Sequence, residues 1–230
     1  MMIEMDGEKL KAARLAGGWT QAEAASKLGV SQPYYSQLEN GSRPVSGELA
    51  LTAVRKFPLS PVALPLPELD RHLAPLDARE LAAQLAWFGY PGFTHMKKAA
   101  RLMNPAFLVA AALAHADLDA RLVEALPWVL SAFHDLDWDW LTAQCRLGNQ
   151  QNRLGYLVTL AMKLPRPGAD ADLAYALSHL ERSRLTAEGT LCRESMSAAE
   201  RTWARKHRST DATHWNLLTT LTADQLTHAA

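Results

Sequence analysis

The sequence predicts an all-α protein in two parts, a small head built on a helix-turn-helix and a larger stack of short helices. Three observations carry that expectation. Apolar residues recur at helical spacing along most of the 230 residues, the signature of amphipathic helices. Few segments show the β-branched alternation that marks a strand. A stretch holding Pro58, Pro61, Pro65 and Pro67 interrupts the pattern. Each proline lacks an amide donor and biases its predecessor away from helix, so residues 58–67 read as a semi-rigid extended linker. The expected domains are therefore 1–57 and 68–230.

In the head, helices are expected near 6–16, 20–28, 32–40 and 46–56. Gly17 and Gly18 separate the first two. Thr20 is placed to N-cap the second, with Glu23 completing a capping box, and Gly29 supplies the positive φ that ends it. Ser31 caps the third, where Pro33 is tolerated because that amide has no helical partner. Ser46 caps the fourth. Its stripe of Leu49, Ala50, Ala53, Val54 and Phe57 closes a core with Leu10, Ala13, Leu28 and Leu38. Gln32, Pro33, Tyr34, Ser36, Gln37 and Asn40 are expected to stay exposed on the third helix.

Beyond the linker, helical spacing is read at Leu69–Leu73 and Ala78–Phe88, the latter stopped by the run from Gly89 to Gly92. A helix from Pro105 to Ala114 follows, then Leu118–Phe133, which Pro127 is expected to kink or split. Trp138–Leu147, Asn152–Leu164 and Leu173–Leu185 come next, with the breaker 165–170 between the last two. Ser197 and Glu200 form another capping box, opening a helix to about Lys206. A search for repeats of 34 or 40 residues finds none that persuades, and antiparallel helices in a stack fit best.

Residues 20–41, TQAEAASKLGVSQPYYSQLENG, carry the most information. The segment resembles the Cro/phage-repressor (XRE-type) helix-turn-helix family, in which an arginine-bearing helix leads into T-Q-x-E-x-A-x-x-x-G-V-S and ends in L-E-N-G. Here those positions are Arg14, Thr20, Gln21, Glu23, Ala25, Gly29, Val30, Ser31, Leu38, Glu39, Asn40 and Gly41, followed by Arg43 and Pro44. The resemblance covers roughly residues 5–62 and departs from the usual pattern at Pro33 and Tyr35. It implies a lambda-repressor-like head that binds double-stranded DNA through the third helix. Gln32 and Gln37 are the expected base readers, since a glutamine amide matches the N6/N7 edge of adenine. Gln21, Ser36, Asn40 and Arg43 are the expected phosphate or minor-groove contacts. Ser31, Pro33 and Tyr34 complete the expected DNA-contacting surface.

Charge bounds how such a surface can work. Lys+Arg and Asp+Glu are equal at 24. Residues 1–57 hold seven basic side chains (Lys9, Lys11, Arg14, Lys27, Arg43, Arg55 and Lys56) against six acidic ones. So thin an excess suits a homodimer that doubles its phosphate contacts over two half-sites about one turn of DNA apart. Cys145 and Cys192 are far apart and lack metal-ligand spacing, which points to reduced thiols and a cytoplasmic setting. The polar start of the sequence suggests no secretory leader. The run from Pro105 to Ala114 is far short of the roughly 20 apolar residues of a membrane helix.

Three candidate chemistries lie in the second part. His134 and Asp135, with Asp137 and Asp139 nearby, could ligate a metal if His115 and Asp170 converged on them. The alternative is a turn, with Asp137 as N-cap and Trp138 and Leu141 packing inward. The run from Asn149 to Arg153 could line a pocket, or cap a turn. Arg193, Arg201, Arg205, Lys206 and Arg208, with Trp203 and His207, could touch phosphates, or form a solvated face. Trp87, Trp128, Trp138 and Trp140 could line a ligand cavity or fill a core. No phosphate loop or nucleophile elbow is present.

Among functions, a DNA-binding transcriptional regulator, acting as a repressor, ranks first. An antitoxin-like protein whose second domain neutralises a partner toxin ranks next. An enzyme resting on His134 ranks last, so no enzyme activity, metal or cofactor is expected. A protein partner or small-molecule effector of residues 68–230 stays open.

Overall fold

The computed structural model describes residues 5–97, 99, 101–165 and 168–226, and the fold is all-α. Its chain packs as two compact units, residues 1–68 with 101–104, and residues 69–100 with 105–230.

The first unit begins with α1 (Gly7–Ala16), α2 (Gln21–Leu28), α3 (Gln32–Glu39) and α4 (Gly47–Lys56). Thr20 accepts from the Glu23 amide while Glu23 reaches back to the Thr20 amide at 2.8 Å, completing the capping box. Gly29 ends α2 at φ 74°, a conformation that costs a side-chain-bearing residue about 1–2 kcal/mol. Ser31 and Ser46 cap α3 and α4. Leu10, Ala13, Ala24, Ala25, Tyr35, Leu38, Ala50 and Ala53 fill the space between the helices. Gly7 permits the closest approach: a Cβ there would lie 2.1 Å from the Leu38 carbonyl oxygen.

The proline stretch contributes to this unit. A 3-10 turn spans Pro61–Ala63, and Val62, Ala63, Leu64 and Leu66 are buried. Asn104, itself buried, donates from Nδ2 to the carbonyls of Val62 (3.0 Å) and Leu64 (2.7 Å). Prolines leave those carbonyls without a ladder partner, and the asparagine amide supplies one.

The second unit contains α5 (Ala78–Phe88), α6 (Pro105–Leu113), α7 (Ala120–Ala132), α8 (Trp138–Leu147), α9 (Gln151–Ala161) and α10 (Asp170–Glu181), then α11 (Ala198–His207) and α12 (Thr210–His214). Helix α6 is apolar on every side and nearly all buried, so it is the centre around which the others pack. Helix α9 passes under Trp215 through Gly155, where a Cβ would lie 2.3 Å from the indole ring.

Three expectations are corrected here. Leu69–Leu73 forms no helix; prolines bracket this short run, and the Gln144 side chain holds both the amide and the carbonyl of Asp70, at 2.9 and 2.6 Å. Of the kink or split expected at Pro127, the split does not occur, since α7 runs through it with the proline buried in the packed face. A helices-only reading also misses a two-residue parallel pairing of β1 (Gly189–Thr190) with β2 (Leu217–Leu218). Arg166 and Pro167, in the expected breaker, lie outside the described residues.

Candidate nucleic-acid interface

A chain of side-chain hydrogen bonds runs from the core of the head to the start of α3. Arg14 Nε donates to Glu39 Oε1 at 2.7 Å, and Arg14 Nη1 donates to the Trp19 carbonyl at 2.9 Å. Glu39 is buried. Gln21 Nε2 donates to Glu39 Oε2 at 2.9 Å, and Gln32 Nε2 donates to Gln21 Oε1 at 2.9 Å.

The order of donors follows from chemistry. A carboxylate only accepts, so Gln21 must turn its amino group toward Glu39 and its oxygen toward Gln32. Gln32 must then offer an N–H to Gln21, which leaves its oxygen and a second N–H for another partner. Those two groups are what bidentate pairing with adenine uses.

Electrostatics favour the charged forms of Glu39 and Arg14. Burial alone would raise the Glu39 carboxyl, but hydrogen bonds from Arg14, Gln21 and Tyr35 outweigh it and hold the group below its ordinary value. The hydrogen bond to Glu39 in turn raises Arg14 against the opposing effect of burial. Tyr35 supports the floor of the site: its ring is fully buried, edge-on to Phe57 at 6.5 Å, and burial pushes its hydroxyl up.

The other expected contact residues divide by exposure. Ser31, Gln32, Pro33, Gln37, Asn40 and Arg43 are exposed. Tyr34 and Ser36 are only half-buried rather than fully exposed, and the Arg43 guanidinium sits 5.5 Å from the centre of the Tyr34 ring. Asn40 Oδ1 accepts from the Ser42 amide at 3.0 Å, which shapes the turn after α3. Ser31 Oγ accepts from the Tyr34 amide, leaving its hydroxyl proton to donate elsewhere. Pro33 occupies the first turn of α3, where its missing N–H costs no helical bond.

Several head cations are committed internally. Arg14 is paired with Glu39, Lys27 lies 4.4 Å over the Trp19 ring, and Lys56 Nζ donates to the Lys27 carbonyl at 2.7 Å. The role of Glu39 as an internal carboxylate is the feature that sequence reasoning misses. Its only signal is an acid at the end of an otherwise uncharged helix.

In the second unit, His134 Nδ1 meets Asp172 Oδ2 at 2.6 Å rather than Asp170, while His115 Nε2 meets the Leu76 carbonyl at 2.7 Å. The convergence of His115 and Asp170 on His134 that a metal site would require is therefore not formed. Among the described residues no group of three or more His, Cys, Asp or Glu side chains is placed to hold a metal ion. Asp137 caps α8 through the Trp140 amide at 2.9 Å. Trp128, Trp138 and Trp140 are buried and Trp87 is half-buried.

The polar run from Asn149 works as a set of backbone clamps. Arg153 donates to the carbonyls of Leu113, His115 and Thr190 and to Glu194, all within 2.8–2.9 Å. Asn152 exchanges two hydrogen bonds with the Leu185 backbone. A cavity of about 390 Å³ opens beside them, lined by His115, Asn149, Gln150 and Glu188 among others. Burial pushes the Cys145 thiol up to about 12 and the Cys192 thiol up to about 11, so both stay protonated and poorly nucleophilic.

Residues 10–64 match the helix-turn-helix family model. This is the XRE-type resemblance carried by the motif, and it spans the N-terminal quarter of the chain. The propionyl-CoA carboxylase regulator of Cereibacter sphaeroides is 33% identical over 91 residues, covering 40% of this chain. The chain spans only 19% of that relative's length. No solved structure matches the chain. Among the described residues, no helix is long and apolar enough to cross a membrane.

Proposed function

We propose that this protein is a sequence-specific DNA-binding transcriptional regulator that uses α3 to read the major groove. The observation that carries this reading is the oriented Gln32 amide, held through Gln21 and Glu39 to Arg14 in the core. A glutamine kept only for solubility has no need of a buried ion pair behind it. The helix-turn-helix match and a relative whose name describes a regulator support the same conclusion.

In this mechanism Gln32 and Gln37 read base edges. Gln21 uses its second N–H, and Ser31, Ser36, Asn40 and Arg43 their remaining donors, on phosphates or the minor-groove edge. Pro33 and Tyr34 shape the contacting surface, with Tyr34 also supporting Arg43. The protein acts as a homodimer, because one head offers few uncommitted cations and two successive grooves double them; its two free, buried cysteines suit a reducing cytoplasm. Repression follows when the occupied site blocks polymerase. The second unit supplies dimerisation or receives a signal, and the cavity beside Arg153 is where a small effector would enter.

Enrichment of a random duplex library by the full chain tests this reading. A two-fold symmetric motif with half-sites about 10 base pairs apart is expected. Recovery of no common motif would overturn it.

A further inference from the structure

The face of α11 that points away from the body of the second unit bears donors and a cation. Ala204 is the buried residue of this helix. At 3.6 residues per turn, Ala199, Thr202 and Lys206 fall on the opposite side, and Trp203 on the flank next to them, about 100° from Ala204. Trp203 is 55% exposed and stacks on His207, with ring centres 4.3 Å apart and planes 20° apart. His207 Nδ1 donates to the Trp203 carbonyl at 2.7 Å, which fixes the ring and turns Nε2 away from the helix backbone. So large an indole gains little by facing water.

The neighbouring arginines are already committed. Arg205 and Arg208 both pair with Glu188, Arg201 pairs with Glu194, and Arg193 with Glu200. Among the described residues Lys206 makes no ion pair and the Trp203 indole N–H has no acceptor. Over its whole length α11 carries Arg201, Arg205 and Lys206 against Glu200 alone. The head, by contrast, has seven cations against six acids over 57 residues, and Arg14, Lys27 and Lys56 are drawn into internal contacts.

We infer that this face of α11 is a second, sequence-independent DNA contact, in which Lys206 and the Trp203 indole N–H meet phosphate oxygens of the duplex, while His207 stacks on the indole and holds its plane. This inference rests on the DNA-binding reading of the head. The occupant is argued from charge: the face offers donors and positive charge, and the chain's proposed ligand is a polyanion that the head alone neutralises weakly.

The test uses the full chain and a mixed-sequence 40-base-pair duplex, titrated at several salt concentrations. Beside the wild type stand Lys206→Gln, the double variant Trp203→Ala with Lys206→Glu, and the head variant Gln32→Ala. All the altered side chains are exposed, and an unchanged melting temperature checks the fold. The α11 variants should bind several-fold more weakly, with the log–log salt slope shallower by about one for each phosphate no longer neutralised. Their preference for an enriched target over the mixed duplex should match the wild type, whereas Gln32→Ala should lose preference. If the α11 variants keep wild-type affinity and slope while Gln32→Ala loses preference, the inference fails and the reading of the head stands. If the wild type binds no duplex at all, both fall.

Discussion

Arg14 and Glu39 join the first and third helices of the head through a 2.7 Å ion pair with side chains only 13% and 5% exposed. Gln21 and Gln32 extend this pair to the surface. A charge taken out of water is costly unless its partner remains. Glu39→Ala strands the Arg14 guanidinium and should destabilise the head by about 3–5 kcal/mol. Urea unfolding of the full chain, followed by tryptophan fluorescence, measures it. A change under about 1 kcal/mol would show that the pair is ordinary surface chemistry.

The same carboxylate sets an acid limit. Glu39 is held below its ordinary value of 4.5 in the folded state. Its contribution to stability is therefore complete above about 4.5 and drains away as pH falls through the lowered value. Melting temperature should drop on acidification across that window in the wild type and drop less in Glu39→Gln. Equal acid slopes in the two proteins would contradict the lowered carboxyl.

Gln32→Ala should cost roughly 1–3 kcal/mol on an adenine-bearing target and relax preference at one base pair. Because Gln21 sets the direction of the Gln32 amide, the two substitutions should not add. A double-mutant cycle on target affinity should give a coupling of about 0.5–3 kcal/mol, against near zero for independent residues.

Asn104→Ala removes the donor that serves the carbonyls of Val62 and Leu64. Two buried acceptors are then left without it, which costs on the order of 1–3 kcal/mol for each group unsatisfied. Proteolysis of the 58–67 segment should speed up in step. A segment that is cut no faster would show that the asparagine does not hold it.

Gly155→Ala pushes a methyl group into the Trp215 indole, which lies 2.3 Å from the position of the new Cβ. Overpacking of this kind costs about 1–3 kcal/mol, and it should also disturb the 2.9 Å bond from Trp215 Nε1 to Thr159. A shifted tryptophan emission spectrum with a lowered melting temperature is expected, and an unshifted, equally stable variant would refute the close approach.

Features that depend on neighbours in sequence are legible without the structure. The Thr20–Glu23 and Ser197–Glu200 boxes, the Ser31, Ser46 and Asp137 caps and the Gly29 turn all stand where spacing places them. Features set by distant partners are not. Nothing local marks Glu39 as internal, since Arg14 lies 25 residues away. Arg153 and Asn152 look like a solvated turn until backbones 33 to 40 residues away reach them. Leu69–Leu73 has helical spacing, but five residues cannot offset helix nucleation, and Gln144 takes the Asp70 backbone instead. The polar face of the third helix is legible in composition, but the hydrogen bonds that engage it are not. Gln21 reads as a free donor in the sequence, and both ends of its amide are engaged in the fold.

The most direct measurement is fluorescence anisotropy of the full chain against duplex from upstream of its own gene and against a scrambled duplex, over a range of salt. The account predicts clear preference for the upstream fragment, with a salt slope equivalent to several phosphate contacts. It also predicts that Gln32→Ala brings the two duplexes together. Equal and weak binding to both by the wild type would contradict it.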